Sequence, residues 1–261
     1  MTGSTVSGLS YVADGPVATI TLDRPEKLNA LTPEMLTGLE AILDAIERDA
    51  GIRVVVVTGA GDRAFCAGAD IAAWSALEPL DMWRHWVPLG HRVFDRLEAL
   101  RQPTIAALNG IAYGGGLELA LACDLRIAAD TVKLAAPEVG IATIPGWGGT
   151  ARLAVVAGPA RAKQMILTGT PIDTDRAEAW GIISDVVAAT DLHERTRETA
   201  DRIAAQAPIA VQVAKQVIDS VRPRVSPTLE ALGSGLTAFT DDATEGQAGF
   251  RERRPPKFVG S

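Results

Sequence analysis

Val54–Thr58 is a continuous run of apolar and β-branched residues, typical of a strand that is covered on both faces of a sheet. Such a strand needs helices packed against it, and the sequence supplies them at regular intervals. Thr32, Pro33 and Glu34 form a helix-start pattern, after which apolar residues recur at helical spacing. The predicted segments are hairpin strands Leu9–Val12 and Val17–Leu22 around Asp14-Gly15, helices over 33–49 and about 80–100, a strand Thr104–Leu108, a helix from about Gly115 and a strand near Leu125–Ala129.

Strand-like segments stop near residue 191, and the chain continues with helical patterns that proline and glycine interrupt. The predicted helical segments cover 191–206, 208–220, 226–240 and 242–252. We therefore expect an α/β core over residues 1–190 and a helical C-terminal region over residues 191–261.

Composition excludes several classes of protein. Hydrophobic residues make up 47% of the chain and charged residues 22%, which is typical of globular proteins rather than disordered ones. No apolar run approaches the ~20 residues that cross a bilayer, and Met1–Ser10 lacks the pattern of a secretory signal. Cys66 and Cys123 are too few for a disulfide framework and lack metal-ligand spacing. These features predict a cytoplasmic protein with no membrane partner and no metal site.

The charge pattern argues against a nucleic-acid partner. The formal net charge is −7, and basic residues are dense only at Arg251, Arg253, Arg254 and Lys257. Binding to a phosphate backbone needs concentrated positive charge, so nucleic acid is disfavoured as the main partner. A ligand with a few phosphates is compatible with this distribution.

Two glycine-bearing segments follow the strand at Val54–Thr58. Gly59–Ala64 fits a loose dinucleotide-binding pattern, but that pattern requires a helix to begin within it, and small, irregular residues follow instead. We therefore reject a dinucleotide site here. The next segment, Phe65–Ile71, could bring its backbone close to a ligand, although on local grounds a tight turn between packed elements is the better explanation. Asp70 is a candidate cap for a following helix.

Three consecutive glycines, Gly114–Gly116, precede an apolar helical segment. Glycines lose much backbone entropy on ordering, and a backbone that presents N–H groups to an anion at a helix N-terminus explains their presence. Glu118 lies in the first turn of that helix. It could simply complement the helix dipole, but its apolar neighbours indicate a buried carboxylate, which favours a functional role.

A second acidic residue, Glu138, also stands among apolar residues, and another glycine-rich segment, Ile144–Thr150, follows it. Their spacing alone does not show whether Glu118 and Glu138 meet in space.

Taken together and in order, these segments resemble the enoyl-CoA hydratase (crotonase) family over nearly the whole chain. Each motif is weak by itself, whereas the full series is highly specific. The matching segments are Arg24–Leu31, Ala67–Ile71, Asn109-Gly110, Gly114–Glu118, Pro137-Glu138, Ile144–Thr150 and Arg253–Phe258.

The resemblance implies an α/β fold, a spiral of ββα units with a helical C-terminal region used for trimerisation. It implies a homotrimer or a homohexamer built as a dimer of trimers. It implies an acyl-CoA thioester as the substrate, with coenzyme A entering as part of that substrate and no separate cofactor.

The resemblance also implies roles for residues. The backbone N–H groups of Ala69 and Gly115 would bind the thioester carbonyl oxygen, Glu118 would activate water, and Glu138 would donate a proton to carbon 2. Lys257 would reach the CoA phosphates of a neighbouring subunit. The residues expected to contact substrate or CoA are Arg24, Lys27, Leu28, Ala30, Ala67, Gly68, Asp70, Ile71, Gly114, Pro137, Gly146, Trp147 and Lys257.

The sequence departs from the family pattern at two positions. Ala72 stands where many members have a lysine, which puts one CoA phosphate contact in doubt. Trp147 stands where the family often has a small residue, and it could pack the following helix or narrow the acyl site. The segment with Trp74, Met82 and Trp86 suits plain core packing better than an acyl-chain cover.

Several functions fit these features. Retention of both glutamates favours an enoyl-CoA hydratase over an enoyl-CoA isomerase. A carboxyacyl-CoA decarboxylase stays open because of Trp147, and a non-catalytic acyl-CoA binder is the alternative from a different class. His85, His91 and His193 match no catalytic position and are expected at the surface or in packing.

Overall fold

A computed structural model describes residues 2–6, 8–75, 77–220 and 227–257 of the chain. Phe258 of the tail motif and Ser226 of the predicted 226–240 helix lie outside the described residues. In the part that is described, no helix is both long and apolar enough to span a membrane.

The strands of the described chain form a seven-stranded sheet and a four-stranded sheet. They are β1 Thr2–Val6, β2 Leu9–Asp14, β3 Val17–Leu22, β4 Val54–Gly59, β5 Ala64–Cys66, β6 Thr104–Leu108, β7 Ile111–Tyr113, β8 Leu125–Ala129, β9 Lys133–Ala135, β10 Ile172–Asp173 and β11 Asp185–Val187. The larger sheet has the order β1-β2-β3-β4-β6-β8-β11, and the smaller has the order β10-β9-β7-β5.

Helices lie between the strands along most of the chain, and the last four helices follow one another after the last strand. The helices are α1 Pro33–Arg48, α2 Ile71–Trp74, α3 Pro79–Asp81, α4 Val87–Ala99, α5 Gly115–Leu121, α6 Gly149–Ala157, α7 Pro159–Thr168, α8 Thr174–Ala179, α9 Leu192–Ala204, α10 Pro208–Ser220, α11 Pro227–Ala238 and α12 Asp241–Glu252. A π-helical turn, Met82–Trp86, joins α3 to α4, and short 3₁₀ turns cover Pro25–Lys27, Glu138–Ile141 and Ala189–Asp191.

A ββα unit repeats along the chain. β4, β6 and β8 lie side by side and parallel in the larger sheet, while the strand after each of them lies in the smaller sheet. Those following strands, β5, β7 and β9, are also parallel neighbours. Each unit then continues through helical segments, so the chain advances by one strand in each sheet per repeat. The expected ββα architecture is present.

Local signals behave as their chemistry predicts. The Thr32 hydroxyl accepts a hydrogen bond from the Met35 amide at 3.3 Å and caps α1. Val54–Val57 are buried in the central strand β4, and the apolar face of α1 packs into the same core. The predicted hairpin forms, with Asp14 opposite Val17.

The predicted helical stretch over about 80–100 is present, and it consists of α3, the π-helical turn and α4 in direct succession, with Pro88 at the start of α4. Proline has no N–H to donate, so it is compatible with a first turn and not with a helix interior. The division at residues 190 and 191 stays a prediction, although only helices occur in the described residues after β11.

Candidate active site

The carboxyl ends of β5, β7 and β9 meet at one edge of the smaller sheet because these strands are parallel neighbours. The loops that follow them therefore converge, as they do in other parallel sheets. Together with nearby segments they enclose a cavity of about 570 Å³. The predicted site residues that line this cavity are Leu28, Ala67, Gly68, Ala69, Ile71, Gly114, Gly115, Glu118, Pro137, Glu138, Gly146 and Trp147.

Two backbone N–H groups stand together on the cavity wall, those of Ala69 and Gly115. A Cβ on Gly115 would lie 3.4 Å from the Ala69 nitrogen, and a Cβ on Gly68 would lie 3.2 Å from the Gly115 nitrogen. Among the residues that the structure describes, neither N–H donates to a backbone or side-chain acceptor. The pair can therefore donate two hydrogen bonds to one ligand oxygen.

The glycines around this pair have separate structural reasons. Gly68 has φ +105° and Gly114 has φ +52°, which residues with a Cβ rarely adopt. A Cβ on Gly115 would lie 2.5 Å from the Trp147 ring, and one on Gly116 would overlap the carbonyl of Cys66. The backbone here is too close to its surroundings to carry side chains.

Glu118 is only 4% exposed, as its apolar neighbours predict. Its Oε1 accepts hydrogen bonds from the Trp147 amide at 2.7 Å and the Gly149 amide at 2.8 Å. The glycine-rich segment after Glu138 thus binds the carboxylate of the earlier motif. Charge-assisted bonds from backbone amides are strong and hold a carboxylate in one orientation.

Glu138 starts the 3₁₀ turn after β9, and its half-buried side chain lies on the same cavity as Glu118. A Cβ on Gly114 would come 3.1 Å from Glu138 Oε1, which places this carboxylate against the backbone beside Gly115. The structure therefore brings together two acids that their spacing in the sequence could not connect.

Arg24, Asp70 and Ala30 support one side of the cavity rather than line it. Arg24 donates to the Ala30 carbonyl at 2.7 Å and pairs with Asp70 Oδ2 at 3.0 Å. Asp70 also caps α2 through the Ala72 amide at 3.1 Å. These contacts join the segment before α1 to the Ala69 loop.

Asn29 completes the same support, and sequence reasoning missed it. This fully buried side chain donates to the carbonyls of Ala60 at 3.0 Å and Ala64 at 2.8 Å, and it accepts from the Arg24 amide at 3.0 Å. Leu28 and Asn29 both have positive φ, which turns the Leu28 side chain to the cavity. The position of Asn29 within the Arg24–Leu31 segment is the sequence signal for this role.

Lys27 and Lys257 are both exposed and lie outside the cavity lining of the single chain. The Lys257 amide donates to Glu245 Oε1 at 2.8 Å. Two hydrogen bonds from Arg254, with the Lys257 amide, lower the pKa of Glu245 to about 2. The tail is thus tied to α12 by charged groups, and its predicted reach to a neighbouring subunit stays a prediction.

Trp147 is 3% exposed and is both a packing anchor and part of the cavity wall. Its ring centroid lies 5.3 Å from those of Trp86 and Phe94. Trp74, Met82 and Trp86 are buried and also line the cavity, so the core interpretation of this segment was incomplete.

Arg152 is a second residue that sequence reasoning missed. It lies in α6, is 6% exposed and donates to the Trp147 carbonyl at 2.7 Å. It also pairs with Asp95 at 2.6 Å and Glu98 at 2.9 Å. An arginine within an apolar helix directly after a glycine-rich loop was the available signal.

Metal chemistry has no obvious ligands in the described part of the chain, where no group of three or more histidine, cysteine or acidic side chains is close enough to hold an ion. Burial raises the pKa of the Cys66 thiol and of the Cys123 thiol to about 12, so both are poor ligands and poor nucleophiles. What the cavity offers is two N–H donors and two carboxylates in an apolar wall. This arrangement can bind a polarised carbonyl oxygen and move protons beside it.

Comparison with known proteins gives one consistent result. The family model described as enoyl-CoA hydratase/isomerase matches residues 13–261. The short-chain-enoyl-CoA hydratase of Clostridium acetobutylicum is 38% identical, with 92% of this chain and 93% of that protein covered. The crotonyl-CoA hydratase of Syntrophomonas wolfei is 37% identical, with 93% and 94% covered. A crystal structure of enoyl-CoA hydratase from Bacillus anthracis matches with a TM-score of 0.80 and 39% identity. The match covers 97% of this chain and 100% of the chain in that crystal structure.

Proposed function

The chain belongs to the enoyl-CoA hydratase/isomerase family, and from that premise we propose that it adds water across the 2,3 double bond of a trans-2-enoyl-CoA. One observation carries the proposal, the presence of Glu118, Glu138 and the amides of Ala69 and Gly115 on one cavity. The related hydratases named above support the same reaction class. Coenzyme A enters as part of the substrate, and the reaction needs no further cofactor.

The two amides are proposed to stabilise the enolate. Addition of water at carbon 3 moves negative charge onto the thioester carbonyl oxygen, and preorganised donors aimed at that oxygen lower the barrier by ~3 kcal/mol each. Gly115 is also the first residue of α5, so the positive end of the helix dipole faces the developing charge. The absence of side chains at Gly114–Gly116 lets the thioester approach the backbone.

The two acids are proposed to divide the proton transfers. Glu118 Oε1 is held as an acceptor by two backbone amides, which suits a base that orients water and takes its proton. Glu138 lies against Gly114, beside the amide proposed to bind the carbonyl oxygen. Carbon 2 is bonded to the carbonyl carbon, so we assign the donation of the proton to carbon 2 to Glu138.

The decisive experiment follows the conjugated thioester absorbance of crotonyl-CoA after addition of the purified protein. We expect absorbance to fall with the wild type and the product to be a 3-hydroxyacyl-CoA. Glu118→Gln and Glu138→Gln should each lower kcat by about 10²-fold or more, the usual range for loss of an acid or base. Glu178→Gln, at an exposed position on α8, is the matched control and should leave kcat unchanged.

The alternative reactions give different products in the same assay. A shifted double bond without incorporation of water would identify an isomerase, and carbon dioxide release from a malonyl-type thioester would identify a decarboxylase. Absence of turnover with enoyl-CoAs from short to long chain, together with tight binding of acyl-CoA, would support the non-catalytic binder. Each of these outcomes would overturn the hydratase proposal.

A further inference from the structure

The backbone of residues 147–149 donates hydrogen bonds to Glu118 and accepts one from Arg152. The amides of Trp147 and Gly149 donate to Glu118 Oε1 at 2.7 and 2.8 Å, and the carbonyl of Trp147 accepts from Arg152 Nη1 at 2.7 Å. The peptide group gripped by Arg152 therefore lies between the two peptide groups that hold Glu118. A shift of the Trp147 carbonyl would therefore also shift the amides of Trp147 and Gly149 that bind Glu118.

Arg152 is itself fixed by ion pairs with two carboxylates that are partly exposed to solvent. Its Nη2 lies 2.6 Å from Asp95 Oδ1 and 2.9 Å from Glu98 Oε2, and its Nε donates to Glu98 at 3.2 Å. Asp95 and Glu98 belong to α4, so the arginine links α4 to the loop that holds Glu118. A planar guanidinium that bonds several acceptors at once has little freedom to shift.

Gly148 shows how closely the loop fits around this arginine. It has φ +97°, which suits glycine, and a Cβ there would overlap Arg152 Nη1. The loop and the guanidinium are therefore complementary in shape as well as in hydrogen bonding.

We propose that Arg152 is a positioning residue that sets the orientation of the Glu118 carboxylate through the Trp147 carbonyl. The inference rests on the proposed function, in which Glu118 activates water. Arg152 lies behind the loop and acts on the reaction only through it.

The charges around Glu118 fix the sign of the expected effect. Burial alone would lower the pKa of Arg152, but Glu98 and Asp95 reverse this and raise its pKa, so the guanidinium stays protonated. Loss of this cation and loosening of the two amide bonds would both favour the protonated form of Glu118. A base must be ionised to act, so the acid limb of the kcat profile should move to higher pH.

The other titratable groups near Glu118 are not replaced in the variants that test this proposal. Glu138 and Tyr113 line the same cavity, and Cys66, which carries a buried thiol, packs against Gly116 in the helix of Glu118. On the far side of the loop, His91 contacts Asp95 at 3.2 Å. These groups are present in wild type and variants, so a difference between them reports on the loop and, where Arg152 itself is replaced, also on the lost cation.

The test compares Arg152→Gln and Gly148→Ala with wild type. Gly148→Ala keeps the charge of Arg152 but displaces its head, which separates position from charge. Arg126→Gln is the matched control, because Arg126 is also a buried arginine that binds backbone carbonyls, those of Ile182 and Cys123. Thermal unfolding of all three variants is measured first, to confirm that each is folded.

We expect both loop variants to lower kcat ~10- to 100-fold, the scale of a displaced catalytic group, with a change in KM of about twofold or less. The acid limb should rise by about half a pH unit or more in Arg152→Gln. The control should lose stability without moving the limb. The positioning role would be overturned if the acid limb of the kcat profile did not move in Arg152→Gln. It would also be overturned if Arg126→Gln moved that limb by the same amount.

A second measurement does not depend on turnover. With glutamate labelled by ¹³C at the carboxyl carbon, the Glu118 resonance is assigned by its loss in Glu118→Gln, and its titration is followed in each folded variant. A higher titration midpoint in Arg152→Gln supports the inference, and an unchanged midpoint refutes it. A wild type without hydratase activity would instead refute the proposed function, so the two failures are distinguishable.

Discussion

Trp147 joins the packing of the protein to the shape of its site. Its ring contacts the place where a Cβ of Gly115 or Gly90 would stand, and it packs on Trp86 and Phe94. Its backbone amide meanwhile holds Glu118 at 2.7 Å. The Trp147 side chain thus limits the cavity volume near the amides of Ala69 and Gly115, while its backbone amide holds the Glu118 carboxylate.

Replacement of this ring tests its effect on substrate choice. Trp147→Ala removes ring atoms from the cavity wall and keeps the amide, so the ratio of kcat/KM for longer enoyl-CoAs to that for crotonyl-CoA should rise. The lost packing should lower the free energy of unfolding by about 3–5 kcal/mol, the usual result for a buried aromatic residue. The measurement combines denaturant unfolding with kinetics on a series of chain lengths.

Trp180→Ala is the control for this prediction, because Trp180 packs near Arg161 and Arg176 and is absent from the cavity lining. The ratio should not change in that variant. If Trp147→Ala leaves the ratio unchanged as well, the ring serves only the core.

At the scale of elements, a single buried cation holds α10 to the α/β core. Lys215 Nζ lies 2.8 Å from Asp124 Oδ2 and donates to the Gln102 carbonyl at 3.3 Å. Asp124 also accepts from the amide and hydroxyl of Thr104 at 2.7 and 3.0 Å. Lys215 is the one residue of α10 that is buried among those described, so much of the docking of this helix depends on it.

Lys215→Met tests this anchor by removing the charge while keeping an apolar stem. Loss of a charged hydrogen-bond partner should destabilise the docking of α10 by about 2 kcal/mol. Hydrogen exchange followed by mass spectrometry should show faster exchange over residues 208–220. Lys163→Met, at an exposed position of α7, should not change that exchange, and equal protection in both variants would contradict the prediction.

At the scale of the whole molecule, the C-terminal helices expose a large apolar surface in the single chain. Ile209, Val213 and Val217 are 69%, 51% and 61% exposed and follow one face of α10. Further exposed apolar side chains on the later helices and the turn between them are Leu232, Leu236, Phe239 and Phe250. Exposed apolar side chains in such number often mark a surface that another protein chain covers, which supports the prediction of a homotrimer or homohexamer.

Size-exclusion chromatography with light scattering tests this assembly. We expect a mass of three or six chains for the wild type and a smaller mass for Val213→Lys combined with Val217→Lys, because buried lysines at an interface lack partners. Val12→Lys, at an exposed position on β2, should keep the wild-type mass. A monomeric wild type at micromolar concentration would exclude the predicted assembly.

Much of the fold could be predicted because its signals are local. Thr32 caps α1, Asp14-Gly15 closes the β2–β3 hairpin, and the run at Val54–Val57 forms a central strand. Capping and periodicity depend on residues a few positions apart, so they are visible without tertiary information. The π-helical turn between α3 and α4 was not predicted, because a periodic apolar pattern does not distinguish an α-helix from one with a π-helical segment.

The three glycines before Glu118 show where the sequence is sufficient and where it is not. Local sequence signals were enough to predict a helix that starts at Gly115, a buried Glu118 in its first turn and a backbone close enough to present its N–H groups to a ligand. The fold is what brings Glu138 and Trp147 onto the same cavity as Glu118, and what sets Arg152 against the Trp147 carbonyl. Parallel strands β5, β7 and β9 bring distant loops to one edge, and such pairing depends on contacts across the chain that no local pattern encodes.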